Sequence, residues 1–446
     1  MPKVLAALFL ILGIVGLVLH YRTRTLVNWA RNASGDFKTV YSPENEQELN
    51  SLMKKLPPKT PMIISGVSHS WAPSLFVVGT NTTNSAEINV SLKKLKGNIT
   101  FDEASKGVSC LAGTPIGELL YFLAKRKRTL ATYPNSPFIT VGGMVATCSH
   151  GAALGAGSVS DLVTDLTYIL PGQAECSRVP PHLLGAYASS LGRLGVVCTI
   201  SLRTIPISWL KQTTTHLPRA SCVQEMGAIV DRCELLKIFW NPASDMCEIQ
   251  EFVRLPDTEN DAVSLYPCKI ENHFMVYQAQ DLSEGINYAP ELDTQFGVSK
   301  VPLSLKNTTG FGHCQKQLEC PQSIPLMMDA EFCLPMEYLD EALVAIKAWI
   351  EQYKPPLSSD SIYLRFTGGD SLPWLSPVKG DGVYAWIIVS LDYTNMPDPS
   401  AAFRVLENEL WRKSNARPHL GKWNNVQGEK FIEMYGEHGR NFLELV

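Results

Sequence analysis

Apolar and polar positions change period several times along the chain. Val4 to Leu19 is an unbroken apolar run of 16 residues, with Lys3 before it and Arg22 and Arg24 after it. The run has no polar face, which argues against a buried helix in a water-soluble core. It predicts an N-terminal hydrophobic helix acting as an uncleaved membrane anchor. A spanning helix needs about 17–25 residues, and His20 and Tyr21 extend this one into the interface. No small-x-small cleavage site precedes Arg22, which disfavours a removed signal peptide. Orientation is contested. Arg22, Arg24 and Arg31 favour a cytosolic body, whereas Asn-x-Ser/Thr sites at Asn32, Asn81, Asn89, Asn98 and Asn307 favour a lumenal one. The cluster from Asn81 to Asn98 reads as polar surface. The endoplasmic reticulum or another endomembrane is the expected location.

From Thr39 onward helix and strand periods alternate. Leu49, Leu52, Met53 and Leu56 recur at helical spacing after Ser42-Pro43-Glu44, and Pro57-Pro58 stops that helix. Met62-Ile63-Ile64 reads as a short strand running into Gly66. Thr114-Pro115 opens a second helix through Leu119, Leu120 and Leu123, and the basic run Lys125–Arg128 suits its C-terminal end. Strands are expected at Asp161–Leu170 and Val196–Thr204, with a short helix at Leu183–Ser190 between them. After Pro206 the texture changes. Cys222–Asn241 reads as helix then strand, Asn241–Lys306 as loop-rich, and Met327–Cys333 as strand. An amphipathic helix then runs from Met336 to about Gln352, with Leu339, Leu343, Ile346 and Ile350 on one face. Strands at Ser361–Phe366 and Val383–Leu391 and helices at Ala401–Arg412 and Lys430–Val446 close the chain. The expected division is an anchor at 1–27, a first domain at 28–208 and a second α+β domain at 209–446.

Composition narrows the classes. The 446 residues are 45% hydrophobic and 18% charged, which excludes a disordered or fibrous chain. A net charge of −4 supplies no field for a phosphate backbone, so no nucleic-acid partner is expected. Eleven cysteines leave at least one thiol unpaired. His313, Cys314 and Cys320 fit no zinc spacing, and no metal is expected.

Thr140–Ser160 is the least ordinary stretch. It is built of glycine, alanine and hydroxyl residues with very little side-chain volume. It is too poor in large apolar groups for core and too long for a turn. Such backbone is suited to close approach to a ligand, and its N–H groups to cradling a pyrophosphate. Gly155-Ala156-Gly157 neither follows a strand nor opens a helix, so it is not a dinucleotide fingerprint of the Rossmann kind.

These segments together resemble one family. Gly66-Val67-Ser68-His69-Ser70, Thr140-Val-Gly142-Gly143-Met-Val-Ala-Thr147-Cys-Ser-His150-Gly151, Gly157-Ser158-Val-Ser-Asp161, Leu194-Gly195-Val-Val197 and Arg417-Pro-His419-Leu-Gly421-Lys422 stand in family order. The chain is similar to the aldonolactone oxidoreductases. These are the L-gulonolactone and D-arabinono-1,4-lactone oxidases, flavoproteins of the vanillyl-alcohol-oxidase (PCMH) type. The resemblance implies an α+β fold: a two-subdomain PCMH-type FAD-binding domain, then an α+β substrate cap domain.

It also implies FAD held on glycine-rich backbone. Gly66, Val67, Ser68, His69 and Ser70 would form the first contact loop. Thr140, Gly142, Gly143, Val145, Ala146, Thr147, Cys148, His150 and Gly151 would form the second, and Gly155, Gly157 and Ser158 the third. Val197 would pack on the nucleotide. His69 stands where many members bond the flavin covalently, although Ser68 replaces the usual second glycine. Arg365 and Lys422 stand where members place cations over the flavin. Tyr363 replaces the glutamate of the usual Glu-x-Arg, which leaves the general base open, with His419 a candidate by residue type. Members continue past the end of this sequence into Asp-Pro-x-Gly-x-Phe. The implied activity is oxidation of an aldono-1,4-lactone at C2 to an ascorbate-type product, with molecular oxygen reduced to hydrogen peroxide. The alternatives are an oxidase for another sugar or polyol, and a membrane-tethered flavin-binding protein without turnover.

Overall fold

The computed structural model describes residues 24–76, 88–136, 138–206, 209–254, 327–395 and 399–446, with three short strand pieces between 255 and 326. The anchor expected at Val4–Leu19, the sites at Asn81 and Asn307, the His313–Cys320 cluster and the boundary near 208 lie outside the described residues. Among the described residues, no helix is long and apolar enough to cross a membrane.

Residues 24–206 build two main sheets and two two-stranded pairs, Arg24–Val27 with Ser34–Phe37 and Arg128–Thr129 with Ile205–Pro206. Thr39–Tyr41, Ile88–Ser91 and Met62–Ser65 pair in parallel, with Ile88–Ser91 central. Thr100–Asp102, Gly107–Leu111, Val196–Arg203, Val163–Ile169 and Ser177–Arg178 form a five-stranded antiparallel sheet. The helices Glu46–Lys55 and Ile116–Ala124 bury Leu49, Met53, Leu119, Leu120 and Leu123 between them in one core. Asn45 caps the first helix by accepting from the Glu48 N–H. Its start therefore lies two residues beyond the expected Pro-Glu. Asn89, read from sequence as polar surface, is instead buried in the central parallel strand. Its side chain bonds Ser65 Oγ and the Ile63 carbonyl. Asn98 is exposed and Asn32 half-buried. A disulfide joins Cys176 to Cys198.

Residues 209–446 build an eight-stranded sheet that contains two strands from the expected loop-rich region, Met246–Arg254 and Tyr288–Pro290. The strand order runs from Tyr288–Pro290 through Trp209–Pro218, Met246–Arg254, Leu235–Asn241, Ile362–Thr367, Tyr384–Asp392 and Met327–Pro335 to Arg417–Pro418. Met246–Arg254 was expected as loop, yet it pairs with both neighbours along its whole length. Alternation organises this sheet. Ile238, Trp240, Leu364, Ile387, Val389 and Phe332 face a core under the helices Arg219–Arg232, Leu339–Tyr353 and Pro399–Ser414. Burying each such side chain stabilises the fold by about 1.5–3 kcal/mol. The positions between them carry Lys237, Tyr363, Arg365, Glu331 and Asp329, which point the other way, toward residues 24–206.

The two halves are closely joined. The C-terminal helix Gly428–Leu445 returns Met434, Tyr435 and Phe442 to the first core. Trp71 of the first half joins the second core. Most of Thr140–Ser160, read from sequence as unsuited to core, is buried: Val141, Met144, Cys148, His150 and Ser158 are all under 3% exposed. Small side chains let backbone pack where large apolar groups would otherwise fill space. A Cβ at Gly142 would come within 2.9 Å of the Ala112 carbonyl oxygen. These glycines are therefore required by neighbouring protein backbone as well as by any ligand. Ala152–Ser158 stitches the halves together. Leu154 N–H donates to the Glu234 carbonyl at 2.9 Å, and Ser158 donates from N–H and Oγ to Asp370 at 2.7 and 2.6 Å.

A Cβ at Gly157 would run into the Asp370 carboxylate and come 2.8 Å from the Gly369 carbonyl oxygen. Gly157→Ala should therefore destabilise the protein by about 1–3 kcal/mol in urea unfolding. Gly227, inside the Arg219–Arg232 helix with open space around it, is the control. Gly227→Ala should stabilise by about 0.5–1 kcal/mol. Equal effects would contradict this account of the seam.

Candidate active site

One cavity of about 1420 Å³ runs between the two halves. That exceeds the roughly 300–1,000 Å³ of an ordinary small-molecule site and leaves room for a dinucleotide beside a substrate. Its floor is the first half. Gly66, Val67, Ser68, His69, Ser70, Thr140, Gly142, Gly143, Ala146, Thr147, His150 and Val197 all line it. Ser149, Ser190 and Gly192, which sequence reasoning did not single out, line it too. Val145, Cys148, Gly151, Gly155, Gly157 and Ser158 are not in its lining. Val145, Cys148 and Gly151 pack behind the floor, and Gly157 and Ser158 sit at the Asp370 seam.

The floor is shaped by two short devices. Thr140 caps the six-residue helix Val141–Ala146, its hydroxyl accepting from the Gly143 N–H at 3.2 Å. The 66–70 loop turns at Ser68, whose φ is 56°. That left-handed conformation costs a non-glycine residue about 1–2 kcal/mol. It explains why glycine is the usual residue there and why serine still serves. The turn presents His69 between Trp29 and Trp71, with ring centroids 5.2 and 5.3 Å away. Burial, then the nearby Lys422 cation, pushes the His69 pKa down to about 4, so the imidazole is neutral.

The opposite wall is the polar face of the eight-stranded sheet. Arg365 Nη2 lies 2.5 Å from Glu331 Oε1, and Arg365 Nη1 donates to the His150 carbonyl at 3.1 Å. His150 Nε2 sits 3.1 Å from the same Glu331 oxygen, and its ring stacks on Trp386 at 3.6 Å. Burial would raise the Glu331 pKa, but Arg365 and His150 hold the carboxyl well below the usual range. The acidic partner absent at Tyr363 is thus present from another strand. Tyr363 instead stacks on Phe239 at 4.8 Å. Lys422 bonds Asp329 at 2.8 Å and lies 3.8 Å over the Trp71 ring. His419 accepts the Gly421 N–H at Nδ1, 2.9 Å away, so the neutral ring carries its hydrogen on Nε2. Burial pushes its pKa down to about 3, so the ring is neutral at physiological pH. Nitrogens of His150 and His419 and an oxygen of Glu331 lie within 4.8 Å of one another, a spacing that could hold a metal ion. Arg365 already supplies positive charge to that carboxylate.

Sequence reasoning brought Arg365, Lys422 and His419 to the wall but missed Glu331, Asp329 and Lys237. The signal was available as polar residues alternating with apolar ones in Met327–Pro335 and Leu235–Asn241. Lys237 pairs in register with Arg365, and burial followed by the Arg365 charge pushes its pKa down to about 7. Ser190 Oγ, Glu331 Oε2 and Arg365 Nε are buried without hydrogen-bond partners. Their residues line the cavity, and polar atoms left unpartnered at its wall fit a ligand that carries polar groups, such as FAD.

The buried histidines set a pH dependence. An unfolded histidine binds its proton below about 6.5, whereas His150 and His419 stay neutral until about 4 and 3. Between those values the unfolded chain holds more protons. Stability should therefore fall as pH falls from 6.5 toward 4, by up to about 1.4 kcal/mol per pH unit for each histidine. Urea midpoints at pH 7.5, 6 and 5 check this, and midpoints that do not fall would contradict it.

Comparison with known proteins places this architecture. Residues 37–177 match the FAD binding domain family and residues 200–446 match the D-arabinono-1,4-lactone oxidase family. The chain is 22% identical over 428 residues to the L-gulonolactone oxidase of Mus musculus, covering 93% of this chain and 92% of that one. It is 23% identical over 256 residues to the D-arabinono-1,4-lactone oxidase of Saccharomyces cerevisiae, covering 55% and 47% respectively. Among solved structures, the cholesterol oxidase of B. sterolicum superposes with a TM-score of 0.63 at 15% identity, covering 90% of this chain and 86% of that one. The fold is the mixed α/β FAD-binding PCMH type, and the second match spans more than half of the chain. It belongs to the D-arabinono-1,4-lactone oxidase family of FAD-dependent oxidoreductases.

Proposed function

We propose that the protein oxidises an aldono-1,4-lactone of L-gulono, L-galactono or D-arabinono type at C2, with molecular oxygen as acceptor. The observation that carries this reading is the buried Arg365–Glu331 pair on the cavity wall facing the His69 loop. When bound, FAD accepts the two electrons and the hydrogen that leave C2, and oxygen reoxidises it with release of hydrogen peroxide. Gly66, Val67, Ser68, Ser70, Thr140, Gly142, Gly143, Ala146, Thr147 and Val197 would hold the cofactor. Their short side chains and backbone leave the cavity open along the floor.

The wall does the remaining work. Arg365 places a fixed positive charge beside the oxygen of the reacting hydroxyl, and Lys422 places a second at the His69 side. Asp329 and Trp71 hold Lys422 in one position. His419 donates from Nε2 and fixes orientation rather than moving a proton. His69 is proposed as the covalent attachment point. A neutral imidazole is the reactive form, and its low pKa keeps it neutral at physiological pH. A tether to the endomembrane through residues 4–19 belongs to the same proposal and rests on the composition of that run.

Anaerobic addition of L-gulono-1,4-lactone to FAD-loaded protein should bleach the flavin's visible band. No bleaching by any aldonolactone, or equal bleaching by open-chain polyols, would contradict the substrate class. Arg365→Gln should slow that reduction by roughly 10²–10³-fold, since it removes one preorganised donor. In acid-precipitated wild-type protein the yellow colour should stay with the pellet. The His69→Ala pellet should be colourless although its native form still binds FAD. Full release of flavin from the wild type would refute the covalent link.

A further inference from the structure

We propose that Glu331 is the catalytic carboxylate that accepts the substrate's hydroxyl proton, an assignment that rests on the lactone-oxidase reading above. Its side chain is completely buried, yet the residue lines the cavity. Its two oxygens are treated differently. Oε1 is held by Arg365 Nη2 at 2.5 Å and by His150 Nε2 at 3.1 Å. Oε2 is buried with no hydrogen-bond partner. A buried anionic acceptor left unmade is costly, so such an atom is expected to meet a donor that arrives with a ligand. Arg365 presents the counterpart, with Nε buried and equally unpartnered. One acceptor and one donor on adjoining side chains match a hydroxyl beside a carbonyl, the pair of groups at C2 and C1 of an aldonolactone.

Other polar groups of the wall are less suited. His419 already spends Nδ1 on the Gly421 N–H, and its other nitrogen carries hydrogen. His150 Nδ1 lies 2.9 Å from the Gly151 carbonyl and Nε2 lies against Glu331. The neutral ring carries one hydrogen, on Nδ1 against the Gly151 carbonyl or on Nε2 against Glu331, and in either case Nε2 faces Glu331 and Arg365. Asp329 is bonded to both Lys422 and Ser390.

The O–H bond at C2 breaks and its proton goes to Glu331 Oε2. The electron pair left on oxygen forms the C=O bond. The C2–H bond breaks, and its hydrogen leaves with two electrons as hydride to the bound flavin. The Arg365 charge beside Glu331 then favours return of the proton to solvent, because it stabilises the carboxylate form.

The test is anaerobic rapid mixing of FAD-loaded Glu331→Gln with L-gulono-1,4-lactone, with rates expressed per bound flavin. The limiting rate of flavin bleaching should fall by about 10²-fold or more, the size of a general-base contribution. The lactone concentration giving half the limiting rate should change by less than about threefold, since Gln keeps the shape. Where the Gln variant loads no flavin, Glu331→Ala with added formate carries the test. Formate should raise the bleaching rate of the loaded Ala variant, and chloride, an anion too weakly basic to take the proton, should not. A merely structural ion pair would not produce such rescue. Wild-type bleaching matched within threefold by the Gln variant overturns the assignment, as does an Ala variant that formate leaves unchanged. Wild-type protein that no aldonolactone bleaches overturns the lactone-oxidase reading itself and this assignment with it, so the two failures are told apart by the wild-type trace.

Discussion

The ion pair between Arg365 and Glu331 is the constraint on which the site depends. Two opposite charges at 2.5 Å, both almost fully buried, are stable only when each is held in register. Their strands are not neighbours. Tyr384–Asp392 lies between them, so the pair spans three strands of one sheet. Arg365 also reaches the His150 carbonyl in the other half. The pair therefore fixes the sheet and locks the cap wall to the floor. Removing either partner should leave an uncompensated buried charge, worth about 3–5 kcal/mol of stability.

The rest of the cavity follows from strand alternation. With one sheet face committed to helices, the other is available for chemistry, and it carries nearly every charged group of the wall. The floor works by a different device. It lowers side-chain volume until backbone meets backbone, then turns the chain at Ser68 to lift His69 between two tryptophans. The result is a large cavity with a neutral imidazole and the Lys422 cation on one side and Arg365 on the other. Cations there favour negative charge as it develops on a substrate oxygen.

Much of this was legible in the sequence. Helical periodicity at Leu339–Ile350 and the strands at Val196 and Met327 are found close to their expected bounds, because their apolar positions follow one period without interruption. Met246–Arg254 was missed because Glu248, Gln250 and Glu251 gave it a polar texture, although Cys247, Ile249 and Phe252 mark a buried face. Asn89 was misread because a buried asparagine looks like surface until its partners Ser65 and Ile63 are known. Alternation marks Glu331 as facing away from the helices, but its role is hidden for a related reason. Its partner Arg365 is 34 residues away, and only the sheet order brings them together. The glycine-rich stretch lines the cavity at Thr140, Gly142, Gly143, Ala146, Thr147 and His150, but part of its smallness serves the seam with Asp370, which no local pattern reveals.

The central claim is spatial: a bound flavin ring would lie between His69 and the Arg365–Glu331 wall. A crystal structure of the FAD-loaded protein measures this directly. The account predicts the dimethylbenzene edge of the ring against His69, the pyrophosphate over Gly66–Ser70 and Thr140–Gly143, and the hydride-accepting N5 facing Arg365. A flavin ring outside this cavity, or one turned so that His69 and Arg365 lie at the same end of it, would contradict the account.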